Sequence, residues 1–120
     1  MTGRLRQREH PEAAAEFDAA VAWYEDREPG VGERLIDRAE TAREDIAAWP
    51  DSWPVFPGWT RKKPVVRTRG VRGFPYRIVY VTTSTEIVIV AYAHERRRPG
   101  YWRHRIPGQE QPIADTQPLT

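Results

Sequence analysis

A cluster of arginines and aromatic residues follows the most apolar part of the sequence. The segment from Phe74 to Trp102 holds two apolar runs, F-P-Y-R-I-V-Y-V and E-I-V-I-V-A-Y-A-H, and then E-R-R-R-P-G-Y-W. Guanidinium groups bind phosphates and carboxylates, and aromatic rings among them offer stacking surfaces. The pattern therefore predicts a surface for phosphate groups or for an acidic partner protein.

An acid–base pair is conceivable at the end of the second apolar run, where His94 precedes Glu95. Imidazole exchanges protons near neutral pH more readily than other side chains. We nevertheless favour structural roles for both residues. His94 is expected to cap the strand or to stack with Trp102, and Glu95 is expected to pair with a neighbouring arginine.

Metal and nucleotide chemistry find no support in the sequence. His10 and His104 are isolated, no carboxylate cluster accompanies them, and the chain has no cysteine. Metal sites need several such ligands at defined spacing. No glycine-rich phosphate loop follows a strand, so nucleotide hydrolysis is not expected. We expect neither a metal nor a cofactor.

Positive charge is concentrated in one part of the chain. The formal net charge is +2, but residues 1–60 hold seven Lys/Arg against thirteen Asp/Glu, whereas residues 61–105 hold twelve against two. An acidic helical layer could simply attract a basic sheet. The basic excess is larger than solubility requires, which favours a binding surface.

The length of 120 residues fits one domain. No run of eighteen apolar residues exists, and the start, M-T-G-R-L-R-Q-R-E-H, lacks the apolar segment of a signal peptide. The absence of cysteine excludes a disulfide framework. These features predict a soluble cytoplasmic domain without membrane contact.

Two amphipathic helices are predicted in the first half of the chain. Pro11 is typical of a first helical turn, and E-P-G at 28–30 ends that helix near Arg27. A second helix runs from about Val31 to Pro50. One face of each is apolar, with Ala14, Phe17, Val21 and Tyr24 in the first and Val31, Leu35, Ala39, Ala42, Ile46 and Trp49 in the second. The short link predicts an antiparallel hairpin.

Three strands are predicted after a proline- and tryptophan-rich connection at 50–64, which we expect to cross the domain with its aromatics fixed in the core. The strands cover about 65–69, 74–82 and 86–94 and are joined by short turns. The last of these is apolar almost throughout, so it is expected to be central.

The two ends of the chain carry weaker signals. Residues 4–9 are a weak candidate for a first strand, because only Leu5 is apolar. Residues 106–120 show no periodicity and are predicted to form a disordered tail after a single domain at 1–105.

Alternation in the strand from Phe74 separates aromatic from basic side chains. Phe74, Tyr76, Ile78 and Tyr80 share one face, whereas Arg77 projects from the other with Val79 and Val81. The aromatic face is expected to lie under the helices. The opposite face is expected to stay free as a concave basic surface. The predicted class is α+β, with the order β-α-α-β-β-β.

The sequence resembles the RelE/ParE toxins of bacterial type II toxin–antitoxin systems, and among them the ParE-like, plasmid-stabilisation branch. The similarity covers about residues 4–105 and is carried by H-P-E-A-A-A-E-F, A-W-Y-E-D-R-E-P-G-V-G-E-R, W-P-D-S-W-P-V-F-P-G, F-P-Y-R-I-V-Y and A-H-E-R-R-R-P-G-Y-W. The resemblance implies a helical hairpin packed on a small twisted, mostly antiparallel sheet. It also implies a cognate antitoxin, through which any DNA contact would be made.

The resemblance implies one of two activities. ParE-like members inhibit DNA gyrase, whereas RelE-like members cleave mRNA on the ribosome. For a nuclease it implies Arg77 and Arg96 as phosphate-stabilising groups and Tyr101 as the acid. Nuclease members carry lysines in the strand aligned with 65–69, where this chain has Arg67 and Arg69, and arginine does not release a proton at neutral pH.

We therefore expect gyrase inhibition, with RelE-like mRNA cleavage and an inactive family member as alternatives. The residues expected to contact the target or the antitoxin are Arg67, Arg69, Arg72, Arg77, Arg96, Arg97, Arg98 and Trp102.

Overall fold

Two helices and four strands make up the fold in the computed structural model, which describes residues 5–108. In chain order these are β1 (Arg6–Glu9), α1 (Pro11–Arg27), α2 (Val31–Ala48), β2 (Val66–Gly70), β3 (Tyr76–Thr82) and β4 (Glu86–His94), followed by a 3-10 turn at Arg103–Arg105. The predicted α+β class and the order β-α-α-β-β-β are confirmed, including the weakly indicated first strand. No helix within 5–108 is long and apolar enough to span a membrane.

The four strands form one open sheet in the order β1-β4-β3-β2. β2, β3 and β4 make the predicted antiparallel meander, and β1 pairs in parallel with the first half of β4. β4 lies between β1 and β3 and is buried over most of its length, as its apolar sequence predicted. On the outer edge of β2, the backbone of Phe56 and Pro54 bonds to Val66 and Thr68, so the connection covers that edge.

α1 starts at the predicted proline. His10 precedes it and its Nδ1 accepts the backbone N–H of Glu12 at 3.1 Å, which caps the first turn. Phe17, Val21 and Tyr24 pack against the core between the helices and the sheet. This is the stripe that the spacing predicted, with buried Ala13 and Ala20 completing it.

The link between the helices depends on Glu25. Its carboxylate accepts the backbone N–H groups of Gly30 and Gly32, both at 2.9 Å. The helices meet closely at this end, because a Cβ on Gly32 would lie 2.8 Å from the carbonyl oxygen of Val21. Most of the predicted apolar face of α2 is buried, but the placement of Trp49 on it was wrong: Trp49 follows the helix and is 65% exposed.

The sheet face opposite the helices is covered, so the prediction that it stays free was wrong. Two irregular segments, 53–64 and 95–108, lie across this face, and we call them together the basic layer. Trp53 packs on the helix side. The other aromatic and apolar residues of the two segments, above all Trp102 and Ile106, form a second core with the valines of that face: Val66, Val79, Val81, Val88 and Val90. These valines explain why the face is covered, since exposure of so much apolar surface to water is unfavourable.

The second core extends beyond the domain boundary proposed from the sequence. Ile106, the first residue of the predicted tail, is fully buried in it. Residues 109–120 of that predicted tail lie outside the described part of the chain.

Candidate functional site

A small cavity opens at one end of the basic layer, where β3 begins and β4 ends. It has a volume of about 150 Å³, and its charged and polar lining consists of Arg77, Glu95, Arg97, Arg98 and Tyr101. We call it the arginine cavity. The rest of the lining is apolar and consists of Phe56, Val79, Ala93, Pro99 and Trp102. Three guanidinium groups against one carboxylate give the cavity a positive charge that favours anions.

Arg77 is held in the cavity by a neutral partner. Its Nε and Nη2 donate to the hydroxyl of buried Thr68 at 3.1 and 3.0 Å. Gly70 stands opposite in the β2–β3 register, and a Cβ there would lie 3.1 Å from a guanidinium nitrogen of Arg77. No carboxylate within residues 5–108 approaches Arg77 to 4.0 Å, so its charge is left uncompensated by an ion pair.

A tight turn after β4 places the other arginines. The backbone N–H of Arg97 donates to the carbonyl of His94 at 2.9 Å. The backbone N–H of Arg96 donates to the ring Nδ1 of His94 at 3.0 Å. The predicted capping role of His94 is thereby confirmed, but its ring packs edge-on against Tyr76 (5.0 Å between centroids) and not against Trp102. The predicted ion pair of Glu95 was wrong, since within 5–108 no arginine lies within 4.0 Å of its carboxylate.

Tyr101 forms a wall of the cavity and turns its hydroxyl away. The guanidinium of Arg97 lies 3.8 Å from the centre of its ring. Its hydroxyl donates to Glu16 of α1 at 2.7 Å. Burial, followed by this hydrogen bond, raises the pKa of Tyr101 above its ordinary value, so the phenol keeps its proton at neutral pH.

Arg105 and Glu16 support this wall from behind, a contact that the sequence reasoning missed. Arg105 is only 6% exposed; it pairs with Glu16 at 3.0 Å and donates to the carbonyl of Val90 at 3.0 Å. Glu16 also accepts the backbone N–H of Tyr92 at 3.1 Å. The two side chains of this ion pair thus provide hydrogen-bond partners for backbone groups of Val90 and Tyr92, at the edge of β4 beyond the end of β1. The spacing of Glu12 and Glu16 on one helix face was the available signal.

Arg67 and Arg69 lie on the opposite side of the sheet from the cavity. Their strand positions face Tyr80 and Ile78, whose side chains belong to the helix-side core. Arg69 pairs with Asp45 at 2.5 Å, and Arg67 donates to the carbonyl of Trp53 at 2.7 Å. Arg69 therefore links β2 to α2, and Arg67 links β2 to the segment 50–64 that joins α2 to β2.

Two further predicted contact residues lie away from the cavity. Arg96 is exposed but does not line it, and Arg72 is exposed in the β2–β3 turn, where its carbonyl accepts from Arg38. A third, Trp102, lines the cavity but is only 1% exposed and packs edge-on against Phe56, so it offers almost no surface to a partner. An apolar side chain this large completes the second core instead.

A second cavity lies on the helix side of the same sheet end. It measures about 460 Å³ and is lined mainly by aromatic residues, among them Trp23, Tyr24 and Tyr76, with His94 and Arg97 at its rim. Arg97 therefore borders both cavities. Nowhere in 5–108 do three His, Asp or Glu side chains come together in an arrangement that could hold a metal ion.

Comparison with known protein families identifies a match that covers most of the chain. The family model described as the ParE toxin of the type II toxin–antitoxin system parDE matches residues 8–107, which is most of the chain. No curated protein matches the sequence significantly.

Proposed function

The chain belongs to the ParE toxin family of type II toxin–antitoxin systems, and we propose that it inhibits DNA gyrase when its antitoxin does not neutralise it. The family implies a cognate antitoxin as partner. In this proposal the toxin arrests growth by binding gyrase through the surface around the arginine cavity, and it cleaves no substrate.

The chemistry of the arginine cavity carries the proposal. Cleavage of RNA by its own 2′-hydroxyl needs a base for the hydroxyl proton, cations for the phosphorane and an acid for the leaving oxygen. The cavity supplies cations, but no lysine or histidine lines it among the residues described. The hydroxyl of Tyr101 is already bonded to Glu16. This arrangement favours binding over catalysis.

Neutralisation follows from the same surface. Arg97 and Arg98 are exposed, and no carboxylate in the described range pairs with them. An acidic segment of the antitoxin that covers these cations gains charge-assisted hydrogen bonds and blocks the target surface. The antitoxin and gyrase then compete for one site.

A supercoiling assay with purified gyrase tests the proposal. We expect the toxin in modest molar excess to abolish supercoiling, and the double variant Arg97→Ala/Arg98→Ala to need at least about tenfold more protein, which corresponds to about 1.4 kcal/mol. The control is Arg27→Ala/Arg34→Ala, which removes two exposed cations from the helical hairpin and should inhibit like wild type. Normal supercoiling in the presence of toxin that arrests growth would rule out gyrase as the target.

A RelE-like endoribonuclease is the second candidate, because Glu95 lines the cavity together with Arg77 and Tyr101. A carboxylate can accept a proton where lysine is missing. In that case a translating extract dosed with toxin should show cleaved mRNA, and Glu95→Gln and Arg77→Ala should each abolish cleavage. Intact mRNA excludes this activity. Normal growth on expression without the antitoxin would identify an inactive member.

A further inference from the structure

Exposed cations extend beyond the arginine cavity over the rest of the basic layer. Segment 53–64 carries Arg61, Lys62 and Lys63, and segment 95–108 carries Arg97, Arg98 and Arg103, all exposed. Within the described chain none of these six side chains has a carboxylate within 4.0 Å. The two segments form one continuous layer, because Arg103 lies over the ring of Trp59 (5.3 Å) and Trp59 packs on Trp102 (6.1 Å).

A further cavity, with polar side chains in its lining, lies at the other end of this layer. It has a volume of about 570 Å³ and is lined by Lys63, Thr82, Thr83 and Ser84, where β3 ends. We call it the hydroxyl cavity. The arginine cavity lies at the other end of β3, beside Arg77. The hydroxyl of Thr83 is bonded to the backbone of Thr85 and Glu86 in the turn. The ammonium of Lys63 and the hydroxyls of Thr82 and Ser84 are groups that proteins use to hold phosphate oxygens.

The two cavities are separated by much more than the spacing of neighbouring phosphates. Arg77 and Thr82 are five strand positions apart, which corresponds to about 17 Å at roughly 3.3 Å per residue. A single strand of B-form DNA carries one phosphate per roughly 3.4 Å of helix axis. The two cavities can therefore hold two different phosphates of one duplex.

We propose that the basic layer binds the sugar–phosphate backbone of DNA directly, with phosphates in the arginine cavity and in the hydroxyl cavity. This interaction goes beyond the proposed function, since inhibition of gyrase does not require the toxin to touch DNA. It also differs from a DNA contact made only through the antitoxin.

Outside the arginine cavity, where the antitoxin and gyrase are proposed to bind, the surface chemistry of the basic layer favours nucleic acid over an acidic protein. Protein interfaces are centred on exposed aromatic or apolar anchors and are poor in lysine. Here Trp102 points into the second core, and of the large apolar side chains exposed within 5–108 only Val55 belongs to the basic layer. Lys62 and Lys63 are both exposed. Cations without apolar anchors suit a phosphate backbone.

Fluorescence anisotropy with the toxin and a labelled DNA duplex of about two helical turns tests the inference. Gyrase and antitoxin are left out. We expect binding at 50 mM salt, and an affinity that falls on the order of a hundredfold by 200 mM salt for about four phosphate contacts. Absence of binding at the lower salt concentration would overturn the proposal.

Paired variants separate a defined site from net charge. Arg97→Ala/Arg98→Ala and Lys62→Ala/Lys63→Ala should each weaken binding about tenfold and reduce the salt slope by about two. Arg27→Ala/Arg34→Ala changes the net charge equally and should bind like wild type. Equal weakening by all three would overturn the proposal, as would a polyglutamate chain that binds as tightly as DNA with the same variant dependence. Because gyrase is absent, toxin that binds DNA but leaves supercoiling intact supports this inference and defeats the proposed function.

Discussion

The arginines of this chain divide into structural and unpaired groups that the sequence does not distinguish. Arg69 and Arg105 pair with acids of the helices, whereas Arg77, Arg97 and Arg98 meet at a cavity and have no such partner among residues 5–108. The difference depends on contacts between distant residues: Arg69 lies 24 positions from Asp45, and Arg105 lies 93 positions from Glu12. The sequence predicts a basic cluster in this region, but it does not indicate which of the arginines form ion pairs.

The ion pair between Glu16 and Arg105 should matter more for stability than its exposed neighbour. Glu16→Ala removes the acceptor of three groups, namely one guanidinium nitrogen of nearly buried Arg105, the hydroxyl of Tyr101 and the N–H of Tyr92, while Glu12 still pairs with Arg105. We therefore expect a loss of about 3 kcal/mol in the free energy of unfolding. Glu12→Ala removes a carboxylate whose side chain is 53% exposed and should cost less than about 1 kcal/mol. Urea denaturation measures both, and equal losses would contradict the role given to Glu16.

Elements with a strong local pattern were predicted well, and elements defined by distant contacts were not. α1 and α2 begin at Pro11 and Val31 as the spacing indicated, because capping and periodicity act within a few residues. β1 was only weakly indicated, since its four residues carry little apolar pattern and its partner is β4. The connection at 50–64 was correctly expected to place aromatics in the core. Its position over the sheet face opposite the helices could not be predicted, because the segment has no periodic sequence pattern.

The helical hairpin should depend on the absence of a side chain at Gly32. Alanine is favoured over glycine inside a helix by about 1 kcal/mol. A Cβ at this position would nevertheless lie 2.8 Å from the carbonyl oxygen of Val21 and 2.9 Å from the Cβ of Glu25. We therefore expect Gly32→Ala to destabilise the protein by about 2 kcal/mol, because the helices must separate.

Glu33→Ala is the matched control for the hairpin. Glu33 is exposed in the same turn of α2, so its replacement should change stability by less than about 0.5 kcal/mol. Thermal unfolding of both variants gives the comparison. A Gly32→Ala protein as stable as wild type would show that helix propensity outweighs the close approach.

At the scale of the whole molecule, the sheet separates two cores of different composition. The helix side holds aromatics and isoleucines of β3 and β4 with the apolar faces of α1 and α2, and the other side holds valines under Trp102. The alternation in β3 correctly predicted the aromatic face under the helices, but the opposite face was expected to stay free as a basic surface. The cover of this second face was not predicted, because a cover without regular secondary structure leaves no period in the sequence. Apart from Arg77, the basic surface accordingly lies on this cover and not on the sheet itself.

Burial of tyrosines should make the fold sensitive to alkaline pH. Burial is the main cause that raises the pKa of Tyr76, of Tyr80 to about 12, and of Tyr92 and Tyr101, which are four of the five tyrosines. The native state favours the protonated phenols, whose unfolded pKa is about 10. Their contribution to stability is therefore complete below about pH 10 and is lost as the pH rises through the native pKa values, about 12 in the case of Tyr80.

Tyrosinate absorbance followed as a function of pH checks this expectation. In concentrated urea the phenols should ionise near pH 10, whereas in the native protein the midpoint should be higher and should coincide with loss of helical circular dichroism. Superimposable native and denatured titration curves would contradict the burial of these hydroxyl groups.

Trp102 and Ile106 are among the last described residues to be synthesised, because the ribosome makes the chain from its N-terminus. A nascent chain that ends after β4 already contains both helices and all four strands. It still leaves the valine face of the sheet without its cover. Premature termination before residue 102 should therefore produce a polypeptide with exposed apolar surface, which cellular proteases remove. Only a ribosome that has translated beyond this point can release a folded toxin.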